Sequence, residues 1–219
     1  MNRWKHILIV ISFVFAVAAV AGAQMGMRQT SLPRGIFRPV VGQGAVYATT
    51  NASGPKNNME FDVVGKDSVN GKDAYWLEFT ITGTEMGDVL SKIEMVVDSG
   101  VTYTARTIVQ MGNNPPMEMP AAMASKAQTP VEIKDKADDL GGESVTVPAG
   151  TFSCEHYRMK DGTGEAWISE KVTPFGLVKS QDKDSSTVLV KTVSGATDKI
   201  TGTPVPFNPM MFMGRGGGR

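Results

Sequence analysis

Short runs of alternating apolar and polar residues, separated by turn residues, restrict the fold of this chain more than any other feature. Apolar side chains occupy every second position over 59–63 and again over 75–81, and Asn70-Gly71 lies between the two runs. Side chains two residues apart on a strand point to the same side, so each run builds one apolar sheet face. Asn and Gly both tolerate the positive φ that a two-residue hairpin turn requires. The pattern therefore predicts a β-hairpin.

The same pattern recurs along the rest of the chain. Apolar positions alternate over 93–97 and 101–109 on either side of Ser99-Gly100, and shorter runs follow that end at Pro148 and at Gly162. About ten strands at regular hairpin spacing are typical of an antiparallel sandwich or barrel. Strands do not alternate with helical segments, which disfavours a doubly wound nucleotide-binding fold.

The N-terminus resembles a secretory signal peptide. A basic start precedes an apolar run over 7–20, and an Ala-Gly-Ala end follows it. The run is shorter than the roughly 20 residues of a membrane-spanning helix, which disfavours the alternative of a retained anchor. We expect cleavage between Ala23 and Gln24 and a periplasmic or secreted mature protein.

Composition divides the remaining chain into three parts. We expect a flexible N-terminal segment over 24–39, one curved β-domain over 40–203 and a disordered tail rich in Met, Gly and Arg over 204–219. Within the β-domain, the Pro-rich stretch over 112–128 is either a crossover loop or a short helix.

Charge and cysteine content exclude several classes of function. The chain has 22 Lys and Arg against 22 Asp and Glu, so it has no general basic field for nucleic acid. Cys154 is the one cysteine, which rules out an internal disulfide framework and a multi-cysteine metal site. After signal cleavage, His156 is the one remaining histidine.

Cys154 and His156 are the residues that an enzyme could use. They are two positions apart on a predicted strand and share a face, as a thiol nucleophile and its base or two metal ligands would. Phe152 lies on the same face and favours the alternative of a buried thiol beside a partly exposed histidine. No third orienting group can be named. We therefore predict no catalytic residue, no metal and no cofactor.

Three segments carry a resemblance to a known family. They read VTVPAGTF over 145–152, EAWIS over 165–169 and PFGLVK over 174–179. They resemble the LolA/LolB-like periplasmic lipoprotein carriers, over about 145–193. The resemblance implies a mainly β fold: one strongly curved antiparallel sheet, a half-open barrel, with one or two short helices or loops over its concave face. In the carriers that face holds acyl chains.

We therefore predict a non-enzymatic exported protein that binds a lipid or another apolar small molecule in the concave face. The methionine-rich loop would close over the ligand as a lid. Alternation alone does not say which sheet face is concave. The predicted ligand-binding residues are Leu77, Phe79, Ile93, Met95, Val97 and Tyr103 on the sheet, with Met117, Met119 and Met123 in the loop.

Of the 14 methionines, four cluster over 111–123 and three over 210–213. Thioether side chains repack easily, which suits contact with a lipid tail or an apolar peptide. They are also soft ligands for Cu(I), and they are often mere hydrophobic filler in loops. The alternative function is an envelope interaction or scaffold protein, in which this loop and the tail would dock a partner protein or a membrane surface.

Two further features have both a structural and a functional interpretation. Trp167 alternates with Glu165 and Ser169, so it packs in the core or at an edge, or else forms a stacking platform for a ligand. Acidic residues crowd the stretch over 135–143, where a solvated loop is favoured over a calcium site because the ligand spacing does not match.

Overall fold

The chain folds into one open, curved sheet of twelve strands that does not close into a barrel. The computed structural model describes residues 35–51, 57–82, 89–120 and 133–208, and the one helix among them is α1, Ile133–Lys136. The prediction of a mainly β fold built on a single curved antiparallel sheet is confirmed. Two strands of only two residues each bring the number above the expected ten.

The strands pair largely in the order in which they occur along the chain. Their spatial order is β12-β6-β5-β4-β3-β2-β1-β11-β10-β9-β8-β7, and every neighbouring pair is antiparallel except β12 and β6. The bounds are β1 Gln43–Asn51, β2 Asn57–Val69, β3 Lys72–Thr82, β4 Val89–Asp98, β5 Val101–Met111, β6 Met117–Glu118, β7 Ala137–Val147, β8 Gly150–Met159, β9 Gly164–Ile168, β10 Leu177–Asp182, β11 Ser185–Ser194 and β12 Val205–Pro206.

Turn residues set the predicted hairpins. Asn70 and Gly71 have φ of 53° and 75° and join β2 to β3, as a two-residue turn with positive φ requires. Ser99 and Gly100 have φ of 52° and 81° and join β4 to β5 in the same way. Both hairpin predictions are confirmed.

One face of β1–β4 carries the core, and we call it the aromatic face. Cross-strand partners point to the same side of a sheet, and the register pairs Phe61 with Phe79 and Leu77 with Ile93. The ring centroids of Phe61 and Phe79 lie 4.8 Å apart. The buried side chains of this face are Ala45, Tyr47, Met59, Phe61, Val63, Leu77, Phe79, Ile93 and Met95.

Two short segments roof the aromatic face, and together we call them the cover, residues 36–38 and 170–175. Phe175 packs its ring edge-on against Phe61 at 5.6 Å, and Phe37 packs on Phe175 at 5.7 Å. The Arg38 amide donates to the Pro174 carbonyl at 2.7 Å, which joins the two segments. Residues at the end of the predicted flexible N-terminal segment therefore belong to the core, since Ile36 and Phe37 are buried.

The opposite face of β2–β5 is polar, and we call it the charged face. Asp62 pairs in register with Glu78, and Glu78 with Lys92, so their side chains share this face. A segment over 195–208, which we call the strap, leaves β11, runs across the charged face and ends with β12 beside β6. Residues 204–208, assigned from the sequence to the tail, thus lie in the strap.

The acidic stretch over 135–143, which we expected to be a solvated loop, runs from α1 into β7. Asp, Gly and Glu have low strand propensity, and pairing with β8 overrides it. The proposed signal peptide over 1–23 and the tail over 209–219 lie outside the described residues. Among the described residues, no helix has the length and apolar character to cross a membrane.

Candidate functional site

The structure brings most of the predicted lining residues together on the aromatic face. Leu77, Phe79, Ile93 and Met95 keep only 0, 2, 3 and 4% of their surface exposed. Val97 lies on the same face and is half-buried. These side chains form a continuous apolar surface, and the chain's own core packs against it.

Tyr103 lies on the other face. The register runs Glu94 with Arg106 and then Met95 with Thr104, so a β-bulge at Ala105 shifts the alternation by one residue. Tyr103 therefore pairs with Val96 and points to the side opposite Met95. The alternation of apolar residues over 101–109 suggested a single face because a bulge leaves no mark in such a pattern.

Two of the three predicted lid methionines extend the aromatic face. Met117 belongs to β6, where it pairs with Val109, and Val109 pairs with Ser91 of β4. Met117 and Met119 are 2 and 9% exposed. These two side chains therefore lie on the same side of the sheet as the aromatic face, and the buried polar residues Ser91 and Thr107 lie between them and its packed cluster. Met123 lies outside the described residues.

The cover is attached to the sheet mainly by packing and is held together by few polar contacts. The Thr173 hydroxyl donates to the Arg38 carbonyl at 2.8 Å. The Arg38 guanidinium lies 2.9 Å from the Glu170 carboxylate, and their side chains are 45 and 85% exposed. An ion pair so open to water contributes only about 0–1 kcal/mol. The cover takes part in none of the strand pairings of the sheet, and its buried side chains, Val172 and Phe175 among them, pack into the core.

A buried polar cluster lies between the charged face and the strap. Glu78 is 1% exposed, and its Oε2 accepts hydrogen bonds from the amides of Lys199 at 3.0 Å and Ile200 at 3.2 Å. Glu78 Oε1 has no partner. Burial raises the pKa of Glu78 to about 7, and the nearby Asp198 carboxyl adds to the rise.

Lys199 neutralises the second buried acid. Its Nζ lies 2.8 Å from an Asp62 oxygen and 3.2 Å from Glu60. Asp62 is 1% exposed, and burial raises its pKa although Lys199 opposes the rise. Asp198 pairs with Lys92, which lies 5.0 Å from the Trp76 ring centroid. Sequence analysis overlooked this cluster because its members are far apart along the chain.

His156 links the last three strands of the sheet. Its Nδ1 lies 3.0 Å from Glu143 on β7 and its Nε2 lies 2.9 Å from Glu165 on β9. The ring stacks on Trp167 at 4.3 Å, and the Trp167 indole N–H donates to Glu143. Trp167 is 8% exposed, so it packs as a core residue and is no open platform.

The geometry of Cys154 is that of a structural thiol. The side chain is 2% exposed, and burial raises its pKa to about 11. Its Sγ lies 3.7 Å from the Phe152 carbonyl oxygen, whereas His156 contacts two carboxylates and an indole. The interpretation of Cys154 as a buried thiol is confirmed.

Metal binding has no support in the part of the chain that the structure describes. No group of three or more His, Cys, Asp or Glu side chains there could hold an ion. Copper binding by the methionine clusters, an alternative that the sequence leaves open, is not tested, since most of those residues lie outside the described ranges.

Comparison with known proteins gives only distant likenesses. No family profile matches the sequence, and no curated protein matches it either. A candidate lipoprotein from Parabacteroides distasonis aligns over 73% of this chain and 99% of its own, with 18% identity and a TM-score of 0.38. A candidate exported protein of YmcC-like fold from Bacteroides fragilis aligns over 73 and 99%, with 15% identity and a TM-score of 0.43.

A chain of the Pseudomonas aeruginosa MucA/MucB complex aligns over 74% of this chain and 55% of its own, with 11% identity and a TM-score of 0.43. These values are too low to carry an argument about function. The resemblance to the LolA/LolB-like carriers stays a prediction.

Proposed function

We propose that this chain is an exported, non-enzymatic protein that holds an acyl chain or another apolar ligand between the aromatic face and the cover. One observation carries the proposal: the aromatic face is a packed apolar surface from β1 to β4, and its β1–β3 part is roofed by two short segments joined to each other at few points. A roof of this kind can move while the sheet stays intact.

The energy of such binding comes from burial of apolar surface. Each methylene transferred from water into an apolar site gains about 0.8 kcal/mol, so eight methylenes gain roughly 6 kcal/mol. The ligand must replace the contacts that Phe37 and Phe175 make with the sheet. Because these two rings also contact each other, they can move together and stay packed.

Arg38 is the residue at which the two cover segments meet. Its amide, its carbonyl and its guanidinium each contact the segment over 170–175. Loss of the guanidinium removes the exposed contact with Glu170 and an exposed hydrogen bond to the Gly35 carbonyl at 3.0 Å. It therefore weakens the closed state slightly and leaves the core unchanged.

The test is binding of a fluorescent long-chain fatty acid to the wild-type protein and to Arg38→Ala. We expect saturable binding by both proteins and release several-fold faster from Arg38→Ala. Arg158→Ala is the control, since it removes another arginine–glutamate pair, on β8 and β9, whose arginine is as open to solvent as Arg38. Absence of saturable binding by the wild-type protein would contradict the proposal. Equal release rates in all three proteins would mean that the ligand does not enter or leave at the cover.

A further inference from the structure

The strap fills a groove on the charged face, and the chemistry of that groove is unusually well defined. Glu78 holds two consecutive backbone amides, those of Lys199 and Ile200. Asp62 and Glu60 bind the Lys199 ammonium, and the side chain of Ile200, the next strap residue, is 6% exposed. The strap then ends in the short strand β12, which pairs with β6. These are the parts of a site that recognises an extended peptide.

The strap leaves several polar atoms of this groove without a hydrogen-bond partner. Asp62 Oδ1, Glu78 Oε1 and Thr80 Oγ1 are buried side-chain oxygens of the charged face without a hydrogen-bond partner. Their residues are 1, 1 and 7% exposed. Unpartnered buried oxygens are costly, and a peptide that brings donors to them gains affinity over the strap.

The strap is anchored by polar contacts more than by packing, and these include backbone hydrogen bonds from Ala196 to Gly42 and from Val205 to Pro116, both at 2.9 Å. Most of its residues are exposed, and Ile200 is its one buried side chain. Gly195 has a φ of 73° at the point where the strap leaves β11, so glycine supplies the bend there. Segments with few buried contacts open at low free-energy cost.

We propose that the charged face is a docking groove for an extended segment of a partner protein, and that the strap occupies this groove in the closed protein. The partner segment carries a lysine followed by an aliphatic residue, as Lys199 and Ile200 do, and adds hydrogen-bond donors beside them. The acidic lining at Glu60, Asp62 and Glu78 selects the lysine by charge complementarity. The strap thereby acts as an autoinhibitory occupant. The groove lies on the face opposite the aromatic face, so this proposal does not depend on apolar-ligand binding.

The proposal is tested by releasing the strap in the full-length chain and refilling the groove from solution. Lys199→Ala removes the contacts with Asp62 and Glu60 and leaves the groove intact. The probe is a synthetic peptide with the sequence of residues 195–208, titrated to millimolar concentration. A second peptide has alanine in place of its lysine. Lys183→Ala is the control variant, because Lys183 is an exposed lysine in the turn between β10 and β11.

NMR reports the two sides of the groove separately. In Lys199→Ala we expect fast exchange of the strap amides and a shifted Trp76 indole signal, since Lys92 loses its Asp198 partner. The wild-type peptide should return the Trp76 and β6 signals to their wild-type positions while the tethered strap amides stay in fast exchange. The alanine peptide should leave the signals shifted, and Lys183→Ala should match the wild-type protein.

Two results would overturn the proposal. In one, the strap amides of Lys199→Ala stay protected, so the strap does not release. In the other, they exchange fast but millimolar wild-type peptide leaves the Trp76 signal shifted. Neither result affects fatty-acid binding at the aromatic face, so failure here is distinguishable from failure of the proposed function.

Discussion

At the scale of single residues, Glu78 is a carboxyl group placed where water cannot reach it. Its buried position disfavours the charged form, and two amide donors offset that cost only in part. Its partner across the strands is Asp62, another buried acid. The strap is therefore held by groups whose charge depends on pH.

We predict that the free energy of unfolding falls as pH rises from about 4.5 to about 7. The folded pKa of Glu78 lies near 7 and the ordinary value is 4.5, so the folded state binds the extra proton in this window. The stabilisation is fully present below the pKa that Glu78 has in the unfolded chain. It is lost as the pH rises past the pKa that Glu78 has in the folded protein. The change is on the order of 3 kcal/mol. Urea unfolding at several pH values measures it.

Glu78→Gln keeps an acceptor for the two amides and cannot ionise. The free energy of unfolding of this variant should vary much less with pH over the same pH range. Glu118→Gln is the control, since Glu118 is an acid on β6 paired with Arg106, and Arg106 lowers its pKa. An unchanged pH profile in Glu78→Gln would show that Glu78 is not the titrating group.

Gly44 is required by a close approach between strands. A Cβ at this position would lie 2.0 Å from Asp62 Oδ1 and 2.4 Å from the Phe61 carbonyl oxygen. We predict that Gly44→Ala lowers the free energy of unfolding by more than about 2 kcal/mol, because the backbone must move to make room for the new Cβ. The melting temperature falls accordingly. Gly142→Ala is the control, because its nearest neighbour would lie at 3.8 Å. Similar melting temperatures for both variants would contradict this explanation.

At the scale of elements, β7 is the strand whose stability depends most on side chains. It pairs with β8 alone in the described part of the chain, and seven consecutive residues from Asp138 to Ser144 are exposed. Glu143 holds it to the neighbouring strands through His156 and Trp167. Both nitrogens of His156 face carboxylates, so the ring bridges β7 to β9.

We predict that His156→Ala raises hydrogen exchange in β7 by about tenfold, because a hydrogen bond to a charged group contributes about 1.5–3 kcal/mol. Arg158→Ala removes only an exposed pair with Glu165 and should leave β7 exchange nearly unchanged. Hydrogen–deuterium exchange resolved by peptide measures both. Equal exchange in the two variants would mean that β8 pairing alone holds β7.

Elements with local signals could be predicted, and those that depend on distant contacts could not. Asn70-Gly71 and Ser99-Gly100 carry their turn type in their own residues, and both hairpins formed as expected. The bulge at Ala105 reversed the face of Tyr103, and β12 exists only because the strap reaches β6. Neither leaves a local pattern in the sequence.

At the scale of the whole molecule, one curved sheet presents two different surfaces. The alternation that predicted the sheet also predicted which side chains share its apolar face, from Leu77 to Met95. It could not predict what covers that face, because Phe37 and Phe175 come from segments without periodicity. It also could not predict the charged cluster, whose members join β2, β3 and a segment more than a hundred residues later.

The most direct test of the central claim is native mass spectrometry of the protein purified from the cells that produce it, with lipid extraction of the same sample. The proposed function predicts an acyl-containing species bound at a fixed ratio and released on extraction. A protein of unmodified mass, with no lipid in the extract, would contradict it.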